Sequence, residues 1–230
     1  MKKTHGFNLF VFDLISKRRL LTLIAAIPLV LANIGPEVFA DGNVVSSMES
    51  GYLVLTGDES ANTIEITQLP DGRYEISPLN RTTINGRGTT FTAPLGVDKV
   101  SVKLNGGNDE LRVFDRIFEG GLTRFTVLSV EMGAGDDRVT FFGVALENPF
   151  ISGVVNLGSG NDRFLCWGAH IVAGFAIYAE SGDDEVTLAG VDFDYAPNVS
   201  GGSGYDYLSL SGCTYGHAWT PRLFERVDRF

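Results

Sequence analysis

Gly107-Asn108-Asp109-Glu110-Leu111, Gly135-Asp136-Asp137-Arg138-Val139, Gly160-Asn161-Asp162-Arg163-Phe164, Gly182-Asp183-Asp184-Glu185-Val186 and Gly204-Tyr205-Asp206-Tyr207-Leu208 write one phrase five times: a glycine, one residue, an aspartate, then an apolar alternation. The aspartates stand 28, 25, 22 and 22 residues apart. A recurrence of that size marks a solenoid, whose units cannot bury an apolar face alone and become stable by stacking on one another.

Aligning the phrases on their aspartates turns the sequence into columns. Two residues after the Asp stand Leu111, Val139, Phe164, Val186 and Leu208, and four after it Val113, Phe141, Cys166, Leu188 and Leu210. The residues between them, Arg112, Thr140, Leu165, Thr187 and Ser209, are mostly polar, so this segment reads as a strand with one buried face. Seven residues before the Asp come Val102, Val130, Val155, Ile177 and Val199, and nine before come Val100, Leu128, Gly153, Phe175 and Pro197, a second strand with its own inward face. Six residues after the Asp the chain reads Asp115, Gly143, Gly168, Gly190 and Gly212, where a strand has to turn a corner. Each unit is therefore strand, Gly-Asx corner, strand, glycine corner and a variable stretch that closes the circuit. The expected fold is all-β, a parallel β-helix or β-roll solenoid of about 22–28 residues per coil.

The ends depart from the period. Asn62 replaces the Asp in a degenerate unit whose earlier strand holds Leu53 and Leu55. Thr63 to Gln68 and Arg73 to Ser77 flank the turn signal Leu69-Pro70-Asp71-Gly72, which predicts a hairpin capping the first coil. Phe91 to Leu104 leads into the array, and Cys213 to Phe230 loses the motif, as expected of a segment shielding the last strand edge. The organisation read from this is 1–40 secretion signal, 41–99 degenerate coil and hairpin, 100–212 solenoid repeats and 213–230 cap.

Lys2, Lys3, Lys17, Arg18 and Arg19 precede an apolar run from Leu20 to Leu31, and Val38-Phe39-Ala40 supplies small residues before Asp41. That is the pattern of a secretory signal with cleavage before Asp41. Retention as an anchor is the other reading, but the run is short beside the roughly 20 residues a spanning helix needs, and Pro28 breaks it. No stable membrane span is expected in the mature chain, and the localisation read is extracellular or at the cell surface. Without residues 1–40 the 18 basic and 28 acidic side chains become 13 and 26. So acidic a chain has no basic stripe for nucleic acid or anionic lipid and is suited to cations. Cys166 and Cys213 fall at different offsets from their aspartates, two coils apart, and read as small buried residues without a bridge.

The phrase Gly-Asn/Asp-Asp-x-apolar-x resembles the core of the RTX, or hemolysin-type, calcium-binding repeat, most fully at Gly133-Ala134-Gly135-Asp136-Asp137 and Gly158-Ser159-Gly160-Asn161-Asp162. That family implies parallel β-rolls in which corner aspartates and backbone carbonyls of adjacent coils hold calcium. Carried onto this chain, the resemblance implies calcium at Asp109, Asp136, Asp137, Asp162, Asp183, Asp184 and Asp206 with the corner glycines Gly107, Gly135, Gly160, Gly182 and Gly204. The family's repeat is nine residues long and decorates both edges of a coil, whereas here it comes once per coil on one edge. Its members commonly leave the cell by a dedicated exporter reading a C-terminal signal, whereas this chain carries an N-terminal one. The match resembles the sparser RTX-like repeats of secreted bacterial β-helix proteins.

Stacking would place the five aspartates near 5 Å apart, where each neighbouring pair repels by roughly 1 kcal/mol in water and more in a lower dielectric. A divalent ion between coils reverses that sign, and oxygen-only donors with no His or Cys in the column suit Ca²⁺. The alternative is a plain Asx corner whose carboxylate accepts backbone N–H groups and needs no metal. Asn105 and Glu180 at the leading glycine position, and Tyr205 beside Asp206, weaken individual sites.

Other patterns carry less. Phe114, Phe142 and Trp167 align five residues after the Asp, as local packing or as a strip for sugar stacking. His5, His170 and His217 show no metal-binding or triad spacing, and five equivalent acids lack the asymmetry of a glycosidase pair. Arg138 and Arg163, directly after their aspartates, read as charge compensation. The sequence therefore predicts a non-catalytic, calcium-binding structural, surface or adhesion module whose partners are calcium ions and an extracellular polysaccharide or another surface protein. The alternatives are a metal-independent structural or interaction β-helix and a polysaccharide-binding or polysaccharide-modifying one.

Overall fold

The computed structural model describes residues 42–114, 123–146, 153–172 and 174–230. The signal segment, Asp41, Asp115 and Arg116 lie outside them. Among the described residues there is no helix, and the chain forms a parallel β-solenoid of about four turns.

Alternation decides which residues face inward. The column Val102, Val130, Val155, Ile177 and Val199 is buried throughout, and its members are register partners along the first sheet, Val130 facing Val102 and Val155 in turn. The column Leu111, Val139, Phe164, Val186 and Leu208 does the same in the second sheet. Each fully buried Val, Leu or Phe in such a column contributes roughly 1.5–3 kcal/mol, and only stacking removes both of its flanks from water. The first sheet has eight strands and the second nine, with parallel pairing along the repeats.

Sequence periodicity showed two strands per coil, and the structure adds a third. Thr123–Phe125, Val144–Leu146, His170–Ile171, Asp192–Phe193 and Thr214–Tyr215 form a five-stranded parallel sheet where only a variable stretch was expected. Its inward column is Phe125, Leu146, Ile171, Phe193 and Tyr215, with Phe193 and Tyr215 stacked at 5.6 Å. Strands of two or three residues are too short to display an alternation, so their sequence carries no period-2 signal. The corner before this sheet is made by Gly143, Gly168, Gly190 and Gly212, all near φ +60°, where a side chain would be strained.

At the N-terminal end, Tyr52–Thr56 pairs with the first full coil, and Thr63–Gln68 forms the expected hairpin with Tyr74–Pro78. Tyr74 is fully buried, stacks on Phe125 at 4.9 Å and donates its hydroxyl to the Arg124 carbonyl. A further strand, Asn43–Glu49, pairs antiparallel with Tyr52–Thr56 and lengthens this end. At the other end Arg226–Arg229 adds a last parallel strand beside Tyr207–Ser211. Both cysteines are free, Cys166 buried as expected, whereas Cys213 is only half-buried because its coil is the last.

Candidate functional site: the Gly-Asx corner

The corner between the first and second sheets is where the repeated phrase folds. The leading positions take positive φ at Asn105, Gly133, Gly158, Glu180 and Gly202, and so do Gly107, Gly135, Gly160, Gly182 and Gly204 one step before the Asx pair. At Gly160 a Cβ would collide with the carbonyl of Gly135 in the coil below, so the successive corners nest backbone on backbone.

The two Asx positions of each phrase separate into two columns. The second aspartates, Asp109, Asp137, Asp162, Asp184 and Asp206, turn into the solenoid and are at most 2 % exposed. Each presents Oδ1 to the backbone N–H of the equivalent residue one coil earlier: Asn62 to Asp109 at 2.6 Å, Asp109 to Asp137 at 2.7 Å, Asp137 to Asp162 at 2.8 Å, Asp162 to Asp184 at 2.8 Å and Asp184 to Asp206 at 3.0 Å. Glu225 completes the ladder by accepting the N–H of Asp206 at 2.7 Å. Its contribution was not legible, since it is a Glu outside the repeat phrase and off its spacing. Asn62, the degenerate first member, shows how an amide settles in this column: its Nδ2 donates to the Ser60 carbonyl at 2.7 Å.

The first positions, Asn108, Asp136, Asn161 and Asp183, stay exposed and build a second ladder of opposite sense. Here each later coil donates its N–H to the earlier side chain: Asp136 to Asn108 at 3.0 Å, Asn161 to Asp136 at 2.8 Å, Asp183 to Asn161 at 2.9 Å and Tyr205 to Asp183 at 2.8 Å. The sequence grouped Asp136 and Asp183 with the inner acids. Neighbouring residues of an extended corner point opposite ways, which puts them on the solvent side.

The inner column leaves a chemical remainder. The Oδ2 atoms of Asp109, Asp137, Asp162, Asp184 and Asp206 are all buried with no hydrogen-bond partner among the described residues. At Gly201 a Cβ would come within 2.6 Å of Asp206 Oδ2, so this side chain reaches across the inside of the corner. Burial pushes the carboxyls up, to about 7 for Asp109, about 8 for Asp137, about 6 for Asp162 and about 7 for Asp184, and upward for Asp206; the backbone N–H bond opposes the rise in each. Neighbouring acids add to it, Asp109 and Asp162 acting on Asp137. A buried ionised carboxylate with one free oxygen is costly, and a proton or a cation on that oxygen would lower the cost.

The donors fit a hard cation. They are oxygens only, five carboxylates in one column, and the free Oδ2 atoms can be engaged without breaking the Oδ1 ladder.

The remaining candidates fall elsewhere. Phe114, Phe142 and Trp167 are half-buried and stack at 6.0 and 4.4 Å, so their faces are spent on one another. Arg163 is exposed and lies 3.4 Å from Glu185 of the next coil. Comparison of the chain with protein-family models, with curated proteins and with solved structures gave no match.

Proposed function

We propose that this chain is a secreted, non-catalytic β-solenoid of the RTX-like kind, whose corner aspartates bind calcium and which serves a structural, surface or adhesion role. The observation that supports it is the row of five buried carboxylate oxygens without partners, repeated once per coil at the one place where the chain repeats a motif. Asp109, Asp137, Asp162, Asp184 and Asp206, with corner carbonyls from Gly107, Gly135, Gly160 and Gly182, would hold the ions. Bound calcium supplies positive charge that offsets the repulsion between stacked acids. The side chains themselves lock each coil to the next through Oδ1, and the exposed ladder of Asn108, Asp136, Asn161 and Asp183 fixes the same register from outside. Outside a cell, where calcium is plentiful, such a stack is stiff; before export, in its scarcity, it is looser.

A metal-independent β-solenoid is the second reading, favoured by the Oδ1 ladder, which already gives every aspartate a fold-making task. The two separate in a thermal melt of the chain from Asp41 onward, with calcium and with excess chelator. Calcium at a hundredfold over its dissociation constant stabilises the fold by about 2.7 kcal/mol per independent site. An unchanged melting temperature would remove calcium from the account and leave the second reading.

A further inference from the structure

On the third sheet, away from the Gly-Asx corner, the parallel register sets His170 directly beside Asp192 of the next coil. Asp194, two residues further on, faces the same way as Asp192, because alternate residues of an extended segment share a side. Both carboxylates converge on a single atom: His170 Nε2 lies 3.4 Å from Asp194 Oδ1 and 3.9 Å from Asp192 Oδ2. One nitrogen and two oxygens from two coils thus gather within 4.8 Å of one another.

The 3.4 Å contact is a long imidazole–carboxylate hydrogen bond, beside about 2.7–2.9 Å for a charge-assisted one, and 3.9 Å is beyond hydrogen-bond reach. Zinc bonds of about 2.0–2.2 Å to N and O in tetrahedral array hold ligand atoms roughly 3.3–3.6 Å apart, so Asp194 already stands at ligand spacing and Asp192 needs only a small inward rotation. A second coil-to-coil contact orients the set: Thr214, the register partner of Asp192 in the following coil, donates its hydroxyl to Asp192 Oδ1 and leaves Oδ2 for the imidazole side. The backbone beneath is fixed by the N–H of Asp192 bonded to the Ala169 carbonyl at 2.9 Å and that of Asp194 to the Ile171 carbonyl at 3.0 Å. Among the described residues no Lys or Arg pairs with either acid, so two negative charges face at most one positive one. His170, Asp192 and Asp194 are all partly open to solvent, which leaves coordination positions for water.

We propose that His170, Asp192 and Asp194 form a binding site for a divalent transition ion of the Zn²⁺ or Co²⁺ kind, chemically distinct from the all-oxygen corner. An imidazole nitrogen with carboxylate oxygens selects such ions over calcium. Thr214 is a positioning residue for Asp192 and not a ligand.

Co²⁺ reports the site directly, because its visible bands intensify on binding to a low-symmetry protein site. The full chain, held in excess calcium so that the corner is saturated, is titrated with Co²⁺ by absorption and with Zn²⁺ by calorimetry. The expected result is a single ion per chain, with Co²⁺ displaced by Zn²⁺. His170→Ala and the pair Asp192→Asn with Asp194→Asn should each weaken binding by more than the roughly 10- to 100-fold that losing an orienting partner costs, and Thr214→Val should fall within that range. His217→Ala should leave the affinity unchanged. Because His170, Asp192 and Asp194 are surface residues, circular dichroism should show every variant folded, and the calcium response of the melt should persist. No Co²⁺ uptake by the parent chain, or equal uptake after His170→Ala, overturns the proposal and leaves the calcium reading untouched.

Discussion

Asp162 sits in the middle of the inner ladder, fully buried, accepting the Asp137 N–H at 2.8 Å through Oδ1 while its Oδ2 has no partner. Two substitutions separate the atoms. Asp162→Asn keeps an acceptor for the Asp137 N–H and turns the charged oxygen into a donor. In the degenerate first coil the Asn62 amide donates to the Ser60 carbonyl, so an amide in this column can find a backbone acceptor. Asp162→Ala removes both oxygens and leaves the buried Asp137 N–H unsatisfied, at a cost of about 1–3 kcal/mol. Both variants abolish the charge, so in chelator Asn should exceed Ala by that amount at any pH. For a chain of this size the difference is roughly 2–12 °C in melting temperature. Against the parent protein the sign depends on the medium. In chelator at pH 8, Asp162 is ionised in the fold because its carboxyl lies at about 6, and Asn relieves the burial that raised it from 3.8. That relief is of the order of 3 kcal/mol at about 1.4 kcal/mol per pKa unit. With calcium present the order should reverse, since Asn withdraws a ligand from the gaps on both sides. Paired melts in calcium and in chelator make the measurement. The reasoning fails if Asn and Ala melt together in chelator, or if Asn is the weaker protein in chelator at pH 8.

Two further predictions concern the whole stack. The inner carboxyls lie at about 6 to 8 in the fold against 3.8 in an unfolded chain, so the folded state retains protons that the unfolded state has released. Without calcium, the contribution of these carboxyls should therefore be greatest below about pH 4 and be lost as pH rises from about 4 towards 8, by about 1.4 kcal/mol per pH unit for each carboxyl still protonated only in the fold; chelated melts that rise from pH 5 to 8 would contradict this. Calcium should flatten or invert the trend. Corner glycines should divide into two classes: Gly190→Ala, with φ +59° and nothing within 4 Å of the new Cβ, should cost about 1–2 kcal/mol, whereas Gly160→Ala, whose Cβ meets the Gly135 carbonyl, should cost more. Urea unfolding of both variants checks this, and equal losses would mean that the corners do not nest as tightly as described.

The two main sheets were legible because their strands within the repeats are five or more residues long and one-sided. A column such as Val102, Val130, Val155, Ile177 and Val199 can be seen by aligning on the aspartates, since burial on one face forces period 2 within a coil and identity of character between coils. The opening hairpin was legible through Leu69-Pro70-Asp71-Gly72, where the turn residues are explicit. The third sheet was not, because Asp192–Phe193 and its equivalents offer one inward residue each, too few to distinguish a strand from a loop.

The sequence by itself determined the period, the all-β class and the location of the acidic corner, because stacking imposes the same residue type at the same phase of every coil. Only the tertiary structure decided which way each corner acid points. The sequence treats Asp136 and Asp137 as equals, but chain direction through the corner buries one beside the core and leaves the other in water, and from that come the two opposed ladders and the free Oδ2 atoms. The same holds for His170, whose neighbours Asp192 and Asp194 lie 22 and 24 residues away in sequence and meet it only because adjacent coils stack in register.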